Sequence, residues 1–270
     1  MRFALKQNIV LFFGDYHTHT TFSHGKGSIE DNVKRAIELG FKEIAITDHG
    51  FKHMVYHVRR MDWPHMEKEV KRLRLKYPQI NILLGVETNF NSHRGFIDVL
   101  PSEIMALDVV LCGYHFMVKP DGFKDVFKFW LPNFMQQVFK LRTQKMYVRN
   151  TDMYIKAIEK NDLDVVTHPN YGIKIDVVEV AKACKHYGTY FELNGRRISM
   201  DDELLEKVVD TGVEFIANSD AHRIEDIGDV RIVTEAFERL NAPLEQIANW
   251  NRIPTWRSKK QNNLLEHLED

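Results

Sequence analysis

The sequence predicts an α/β barrel of seven consecutive βα units. Short apolar runs of strand length alternate with longer segments of helical periodicity, the pattern of parallel strands joined by crossover helices. Seven units in succession favour a closed barrel over an open sheet, and no GxGxxG or Walker-type loop follows any predicted strand. Because no Pro-, Gly- or Ser-rich linker separates the units, we predict one domain over residues 1–253.

The predicted strands are runs of three to five residues that are rich in apolar and β-branched side chains. Turn residues or polar motifs follow them. In chain order, the strands are Ile9–Phe13, Glu43–Thr47, Ile82–Val86, Val109–Gly113, Val165–Thr167, Tyr190–Leu193 and Glu214–Ala217.

Capping residues delimit the predicted helices. The helix Ser28–Leu39 begins with Ser28 and Asp31, which have the spacing of a capping box, and it ends before Gly40. Gly188 and Gly212 follow the second and third of the remaining helices. The remaining helices are Met61–Tyr77, Val177–His186, Asp201–Asp210 and Val230–Leu240.

An insertion at residues 119–149 separates the fourth and fifth units. It carries aromatic residues at helix-like spacing, interrupted near Leu131-Pro132, and it has seven basic side chains against two acidic ones. Two interpretations remain open: an amphipathic helix pair that packs on the barrel, or a lid or wall that attracts an anionic substrate. The tail at 254–270 is polar apart from Leu264-Leu265 and is predicted to be a frayed terminal helix.

Composition excludes several classes of protein. With 44% hydrophobic and 28% charged residues, the chain is neither disordered nor fibrous, and its net charge of -1 offers no overall attraction for a polyanion. The two cysteines, Cys112 and Cys184, lie in apolar stretches and indicate buried thiols in a reducing compartment. The apolar run near the N-terminus is shorter than a signal sequence core or a membrane span, so we expect a cytoplasmic protein with no membrane partner.

Histidine placement carries the functional prediction. Seven of the 13 histidines, together with one glutamate and one aspartate, follow the ends of predicted strands. Because the carboxyl ends of parallel barrel strands converge on one mouth, we expect these nine side chains to meet in space. They are His17, His19, His24, His49, Glu87, His115, His168, Asp220 and His222.

These nine side chains predict a metal site. His17 and His19 form a His-x-His pair, which points both imidazoles to the same face of an extended segment. Without a bound cation, seven imidazoles and two carboxylates at one mouth would repel one another where they carry like charges and would otherwise lack hydrogen-bond partners. Nine ligands exceed the needs of one tetrahedral ion and suit two or three divalent ions, with zinc, manganese and iron all compatible.

The ordered motifs resemble those of the PHP family, named for polymerase and histidinol phosphatase. The resemblance spans roughly Gly14 to Gly228 and implies a distorted (β/α)7 barrel with a trinuclear metal site. This chain departs from the family pattern at His24, where many members have an aspartate. The matching motifs are Asp15-Tyr16-His17-Thr18-His19-Thr20, Thr47-Asp48-His49-Gly50, Glu87, His115, Thr167-His168-Pro169 and Ser219-Asp220-Ala221-His222.

The resemblance also implies how the ligands divide among three ions. Glu87 is expected to be shared between the first and second ions. The implied sets are His17, His19, Glu87 and Asp220 for the first ion, Glu87, His115 and His168 for the second, and His24, His49 and His222 for the third.

Clustered divalent ions predict hydrolysis of a phosphate ester. A metal-bound hydroxide is expected to attack in line, and Asp220 or His222 is expected to assist proton transfer.

Cations at the mouth are expected to bind the substrate phosphate. Arg197 and Arg223 are the first candidates because arginine binds phosphate with two hydrogen bonds, and Lys26 and Arg196 are further candidates. Asn194 is predicted to orient a water or ligand there, whereas Glu192 is predicted to point to the other face of its strand.

The sequence is compatible with three functions. The leading one is a phosphomonoesterase for a small phosphorylated metabolite, with histidinol phosphate one candidate implied by the resemblance. The alternative is a phosphodiesterase or 3′–5′ exonuclease, whose single-stranded substrate would stack on the basic, aromatic insertion. The net charge and the absence of an attached polymerase domain favour the first over the second. A noncatalytic, metal-stabilised module is the least favoured because the ligand set is complete.

Overall fold

The computed structural model describes residues 12–141 and 143–257. Its seven strands form one parallel sheet in which each strand pairs with the next along the chain. The strands are Gly14–Asp15 (β1), Glu43–Ile46 (β2), Asn81–Asn89 (β3), Val109–Gly113 (β4), Val165–Val166 (β5), Tyr190–Asn194 (β6) and Phe215–Asn218 (β7).

Helices connect the strands and pack their apolar faces on the outside of the sheet. A π-helical turn, Val126–Trp130, precedes the fifth helix. Within the described ranges, no helix is both long enough and apolar enough to cross a membrane. The helices are Ile29–Glu38 (α1), Trp63–Lys76 (α2), Pro101–Ile104 (α3), Phe123–Asp125 (α4), Leu131–Phe139 (α5), Gln144–Lys160 (α6), Val177–Tyr187 (α7), Asp202–Val209 (α8) and Arg231–Leu240 (α9).

The barrel closes between the carboxyl ends of β1 and β7. The backbone N–H of His19 donates to Ala221 O at 2.9 Å, and Ala221 N–H donates to His17 O at 3.2 Å. The Asp15 carboxylate adds a third link, because it accepts the backbone N–H of Ser219 at 3.1 Å. The predicted seven-stranded barrel is therefore confirmed, and its seam joins the first and last sequence motifs.

Apolar side chains fill most of the barrel interior at its lower end, which is the end opposite the carboxyl ends of the strands, and Trp256 packs there. Trp256 is fully buried, packs on Tyr16 with ring centroids 4.5 Å apart, and donates from Nε1 to Glu43 Oε2 at 3.2 Å. Burying this large ring stabilises the ordered segment 254–257. The predicted frayed helix of the tail lies mostly beyond residue 257, outside the described residues, and stays a prediction. The predicted Leu264-Leu265 patch lies outside the described residues.

Most of the predicted strands and helices agree with the structure to within a few residues at each end. Val109–Gly113 has the predicted bounds, and Ser28 and Asp31 form the predicted capping box at the start of α1. The first strand is the exception: it lies at Gly14–Asp15 instead of Ile9–Phe13, and residues 9–11 lie outside the described range. The helices α3 and α6 were not predicted.

The predicted interruption near Leu131-Pro132 is confirmed. The π-helical turn Val126–Trp130 breaks the regular α-helix directly before Leu131, where α5 begins. Pro132 lies in the first turn of α5, where its missing N–H would have no partner within that helix. The chain leaves the helix at Lys140, which has a left-handed backbone with φ of 58°.

Candidate metal centre and active site

Glu87, on β3, is the centre of the barrel mouth and is fully buried. Imidazole nitrogens of five histidines lie within 3.7 Å of its two carboxylate oxygens. The nearest are His168 Nε2, at 2.8 Å from Oε1, and His49 Nδ1, at 2.9 Å from Oε2. The Thr167 hydroxyl also donates to Oε1 at 2.9 Å. The other three histidines are His17, His19 and His115.

Asp220 is the second carboxylate of the mouth and lies two residues after the end of β7. Its Oδ1 lies 3.3 Å from His19 Nε2, 3.6 Å from His17 Nε2 and 3.5 Å from His222 Nδ1. Asn194 donates to its Oδ2 at 3.2 Å. The residue has a left-handed backbone with φ of 53°, a conformation that costs energy and is concentrated at functional sites.

All nine predicted ligands meet at this mouth. His24 joins through its ring, whose centroid is 4.0 Å from that of His222 and 4.8 Å from that of His49. Imidazole and carboxylate groups in this arrangement can hold first-row divalent ions. Three groups have ligand atoms within 4.8 Å of one another: His17, His19 and Asp220; His49, Glu87 and His115; and His19, His49 and His222.

Buried polar atoms without a hydrogen-bond partner are concentrated here. His49 Nδ1 and Glu87 Oε2 are 2.9 Å apart, yet neither makes a hydrogen bond. A buried polar atom without a hydrogen bond costs about 1–3 kcal/mol of folding free energy. Seven such atoms at one mouth therefore indicate a site that binds cations, and not a core whose polar groups satisfy one another. These seven atoms are His17 Nε2, His19 Nδ1 and Nε2, His24 Nδ1, His49 Nδ1, His168 Nδ1 and Glu87 Oε2.

Burial and neighbouring charges give adjacent groups opposite pKa shifts. Burial lowers the pKa of His19 to about 3 and that of His24 to about 4, so both rings are neutral at pH 7, the form that binds metal. At His17, burial also lowers the pKa, but the carboxylates of Glu87 and Glu192 outweigh it and raise the net value. Burial alone would raise the pKa of Glu87, yet the surrounding imidazoles hold it well below its usual range.

Two adjacent cavities open beside the cluster. The smaller, about 230 Å³, is lined by His168 and Asp220 of the cluster. The larger, about 610 Å³, borders the cluster at His115 and is walled on one side by α5 of the insertion. Tyr171 and Arg197 line both cavities and form their common wall.

The sequence profile described as the PHP domain matches residues 15–196 of this chain, more than half of its length. This chain belongs to the PHP domain family. The resemblance predicted from the motifs is thus confirmed.

Relatives of this PHP domain are similar over most of their length. A probable phosphatase of Shewanella sediminis is 28% identical over 272 residues, which cover 95% of this chain and 98% of the relative. A probable phosphatase of Caldanaerobacter subterraneus is 28% identical over 261 residues, which cover 92% of this chain and 90% of the relative. Among solved structures, a histidinol phosphate phosphatase from Lactococcus lactis, complexed with zinc, L-histidinol and phosphate, has a TM-score of 0.52 at 15% identity, covering 85% of this chain and 94% of that one.

Glu192 lies beneath the candidate metal ligands of this PHP domain and contacts two of the residues that carry them. Its Oε1 lies 2.7 Å from His17 Nδ1, and its Oε2 accepts the backbone N–H of His168 at 2.7 Å. The prediction that it points to the other face of β6 is wrong: Glu192 and Asn194 are two residues apart and therefore share a face. By holding Nδ1, Glu192 leaves Nε2 of His17 directed at the cluster.

Further polar residues orient the ligands and were not predicted from the sequence. Asn89 Oδ1 lies 2.7 Å from His115 Nδ1, and the Asn89 backbone and side-chain amides donate to Asp98 at 2.9 and 2.6 Å. Asp48, from the second motif, accepts the backbone N–H and the hydroxyl of Thr20, each at 2.7 Å. These residues position the loops that carry the histidines.

His53 is a further histidine at the mouth that the motifs left unassigned. Its ring centroid lies 5.3 Å from that of His49 and 5.8 Å from that of His115. Its Nδ1 accepts the backbone N–H groups of Val55 at 3.3 Å and Tyr56 at 3.0 Å, so the neutral ring carries its proton on Nε2. The only sequence signal was its position shortly after the second motif.

Two of the four predicted phosphate-binding cations line the smaller cavity. Arg196 Nη1 lies 3.0 Å from His222 Nδ1 and 3.7 Å from Asp220 Oδ2. The Arg197 guanidinium lies over the ring of Tyr171, 4.9 Å from its centroid. Both cations therefore lie beside the candidate metal ligands.

The other two predicted cations lie elsewhere. Arg223 is exposed and pairs with Glu225. Lys26 is exposed, and its backbone N–H donates to His222 O at 2.8 Å. Neither residue lines the smaller or the larger cavity.

Proposed function

We propose that this protein hydrolyses small phosphate monoesters at the barrel mouth, with two to three divalent transition ions bound. One observation carries the proposal: seven imidazoles and two carboxylates converge there, and seven of their buried atoms have no hydrogen-bond partner. The enzyme class, a metal-dependent phosphoesterase, is confirmed by the family and by relatives named probable phosphatases. Zinc, manganese and iron all suit these donors.

The proposed ligands divide into overlapping sets. Glu87 lies between the first and second sets and would be shared by them. His49 groups with Glu87 and His115 as well as with His19 and His222, so it lies between the second and third sets. The sets are His17, His19, Glu87 and Asp220; Glu87, His115 and His168; and His24, His49 and His222.

The chain's own residues would bind the phosphate and move protons. When bound, the ions would activate water and neutralise the phosphoryl oxygens. Arg196 and Arg197, on the wall of the smaller cavity, would donate to the phosphate. Asp220 and His222 are the proposed proton-transfer residues. Burial lowers the pKa of His222, so its neutral ring can accept a proton at pH 7.

Elemental analysis combined with two chromogenic substrates tests the proposal. The purified protein should contain two to three divalent ions per chain and should hydrolyse p-nitrophenyl phosphate. Chelation should abolish turnover, and added manganese or zinc should restore it. His19→Ala should lower both metal content and turnover, whereas His65→Ala, an exposed histidine on α2, should change neither.

The diester bis-p-nitrophenyl phosphate separates the alternative. Turnover of the diester without the monoester would replace the proposal with a phosphodiesterase function. Full turnover by a protein free of metal would contradict the role of the cluster altogether.

A further inference from the structure

The larger cavity beside the cluster of candidate metal ligands has a cationic lining. Lys140, Lys174 and Arg197 line it, and no aspartate or glutamate is among its lining residues in the described part of the chain. The remaining polar lining consists mostly of amide, hydroxyl and imidazole groups. These include Gln136, Gln137, Asn170, Ser199, His53 and His115.

The wall that carries these cations is held in place by specific contacts. Gln137 Nε2, on α5, donates to Gly172 O at 2.8 Å, which ties the insertion to the loop after β5. Gly172 has φ of +68°, and a Cβ there would lie 3.0 Å from the same Gln137 nitrogen. The turn at Lys140 then ends α5 at the cavity. The cationic lining thus belongs to a built wall.

The position of this cavity assigns it to the part of the substrate that leaves. A phosphate bound in the smaller cavity would lie beside His168 and Asp220, and the common wall of Tyr171 and Arg197 leads from there into the larger cavity. The ester substituent of that phosphate would then extend past Arg197 toward Lys140. Tyr56, Phe116 and Tyr171 provide aromatic surface along this path.

We infer that the larger cavity binds a leaving group that carries a second anionic group, a carboxylate or a second phosphate. The inference rests on the proposed phosphomonoesterase function and narrows its substrate class. An anion in this cavity meets Lys140 and Arg197, whereas an ammonium group meets the same two cations and finds no carboxylate among the described lining residues. Phosphorylated amino alcohols, the class that includes histidinol phosphate, are therefore disfavoured.

Three aryl phosphates of similar size test this inference on the metal-loaded full chain. They are 4-(carboxymethyl)phenyl, 4-methylphenyl and 4-(aminomethyl)phenyl phosphate, with negative, neutral and positive substituents. We expect kcat/KM to fall in that order, by about tenfold between the first and the second, because partly solvent-screened ion pairs have modest strength. Turnover of p-nitrophenyl phosphate in parallel reports on the metal centre itself.

Variants of the insertion connect the preference to the cavity. Lys140→Gln should lower the kcat/KM ratio of the carboxymethyl to the methyl ester by about threefold or more. Lys140→Glu should lower that ratio further and raise the relative kcat/KM of the aminomethyl ester. Lys145→Gln changes a lysine of the same insertion that lies outside the cavity, and it should leave the ratio unchanged.

The outcomes distinguish this inference from the function on which it rests. Equal kcat/KM for the three esters, or a preference for the aminomethyl ester, would overturn the inference while p-nitrophenyl phosphate turnover upholds the proposed function. An unchanged ratio in both Lys140 variants would also overturn it. No turnover of any monoester by the metal-loaded protein would overturn both.

Discussion

Two buried glutamates at opposite ends of the barrel interior, Glu43 and Glu87, have different surroundings. Both are essentially inaccessible to solvent, at 1% and 0% exposure. Glu43, at the lower end, accepts hydrogen bonds from Asn81 Nδ2 at 2.6 Å and from Tyr16 OH and Trp256 Nε1 at 3.2 Å. These three donors are neutral groups, so protein side chains supply hydrogen bonds to this carboxylate without a cation among the three.

Glu87, at the mouth, is surrounded by imidazoles instead. Its Oε2 has no hydrogen bond although His49 lies 2.9 Å away, and nearby ring nitrogens of His17 and His19 are also unpartnered. An imidazole nitrogen either carries a proton or offers a lone pair, so this environment can exchange protons for cations. Burial alone therefore does not distinguish a structural acid from a ligand, whereas the type and satisfaction of its neighbours do.

The largest expected effect is the loss of activity in Glu87→Gln. An amide cannot replace the negative charge between the proposed ions, so kcat/KM for p-nitrophenyl phosphate should fall by at least about 10³-fold, equivalent to several kcal/mol of transition-state stabilisation. Metal content should fall as well. Glu43→Gln makes the same chemical change at the other end of the barrel and should keep kcat/KM within about twofold. Equal effects of the two substitutions would contradict the contrast.

Glu192→Gln should have an intermediate effect through the orientation of His17. A single amide oxygen cannot accept both from His17 Nδ1 and from the His168 backbone, which the two carboxylate oxygens contact at 2.7 Å each. Loss of such a supporting contact typically costs about 10- to 100-fold in metal affinity or activity. Competition with a chromogenic chelator measures the affinity, and Glu179→Gln, on the exposed face of α7, is the matched control. Unchanged affinity would mean that Glu192 serves only the fold.

The fold was predictable where its determinants are local. The capping box of α1 involves Ser28 and Asp31, three residues apart, and β4 is a continuous apolar run, so both were located from the sequence. The first strand was misplaced because its two residues are defined by pairing with β2, which no local pattern records. Trp256 belongs to a polar stretch of sequence, yet it fills the end of the barrel opposite the mouth. Its burial depends on contacts with residues about 240 positions earlier, such as Tyr16.

The nine mouth residues were predictable because each follows a strand and parallel strands converge. Glu192 was recoverable too, since its two-residue spacing from Asn194 places both on one face of β6. Asn89 and His53 were not recoverable. Their contacts with His115 and with the backbone of Tyr56 depend on loop conformations, for which a single sequence has no periodic signal.

At the lower end of the barrel, Glu43→Gln should reduce stability and leave the chemistry intact. The carboxylate accepts hydrogen bonds from Tyr16, Asn81 and Trp256 among others, and a hydrogen bond to a charged group contributes about 1.5–3 kcal/mol, so the free energy of unfolding should fall by about 1–3 kcal/mol. Urea denaturation of the metal-free protein measures this change. Glu38→Gln, on the exposed end of α1, should stay within about 0.5 kcal/mol. A loss of activity without a loss of stability would reverse the roles assigned to the two ends.

The smallest expected effect is a change in the pH dependence of stability in His53→Gln. Burial and the neighbouring His115 lower the pKa of His53 to about 4, below the value of about 6.5 expected for an unfolded histidine. Between these values the unfolded chain binds more protons at this position, so the contribution of His53 to stability is present above pH 6.5 and is lost as the pH falls toward 4. Without His53, the decline of the free energy of unfolding of the metal-free protein over this range should be shallower by up to about 1.4 kcal/mol per pH unit. Met54→Leu changes an exposed neighbour that has no titratable group and should keep the wild-type slope. A wild-type slope in His53→Gln would instead show that His53 binds protons equally in the folded and unfolded states. The surroundings of His53 at the mouth would then not lower its pKa.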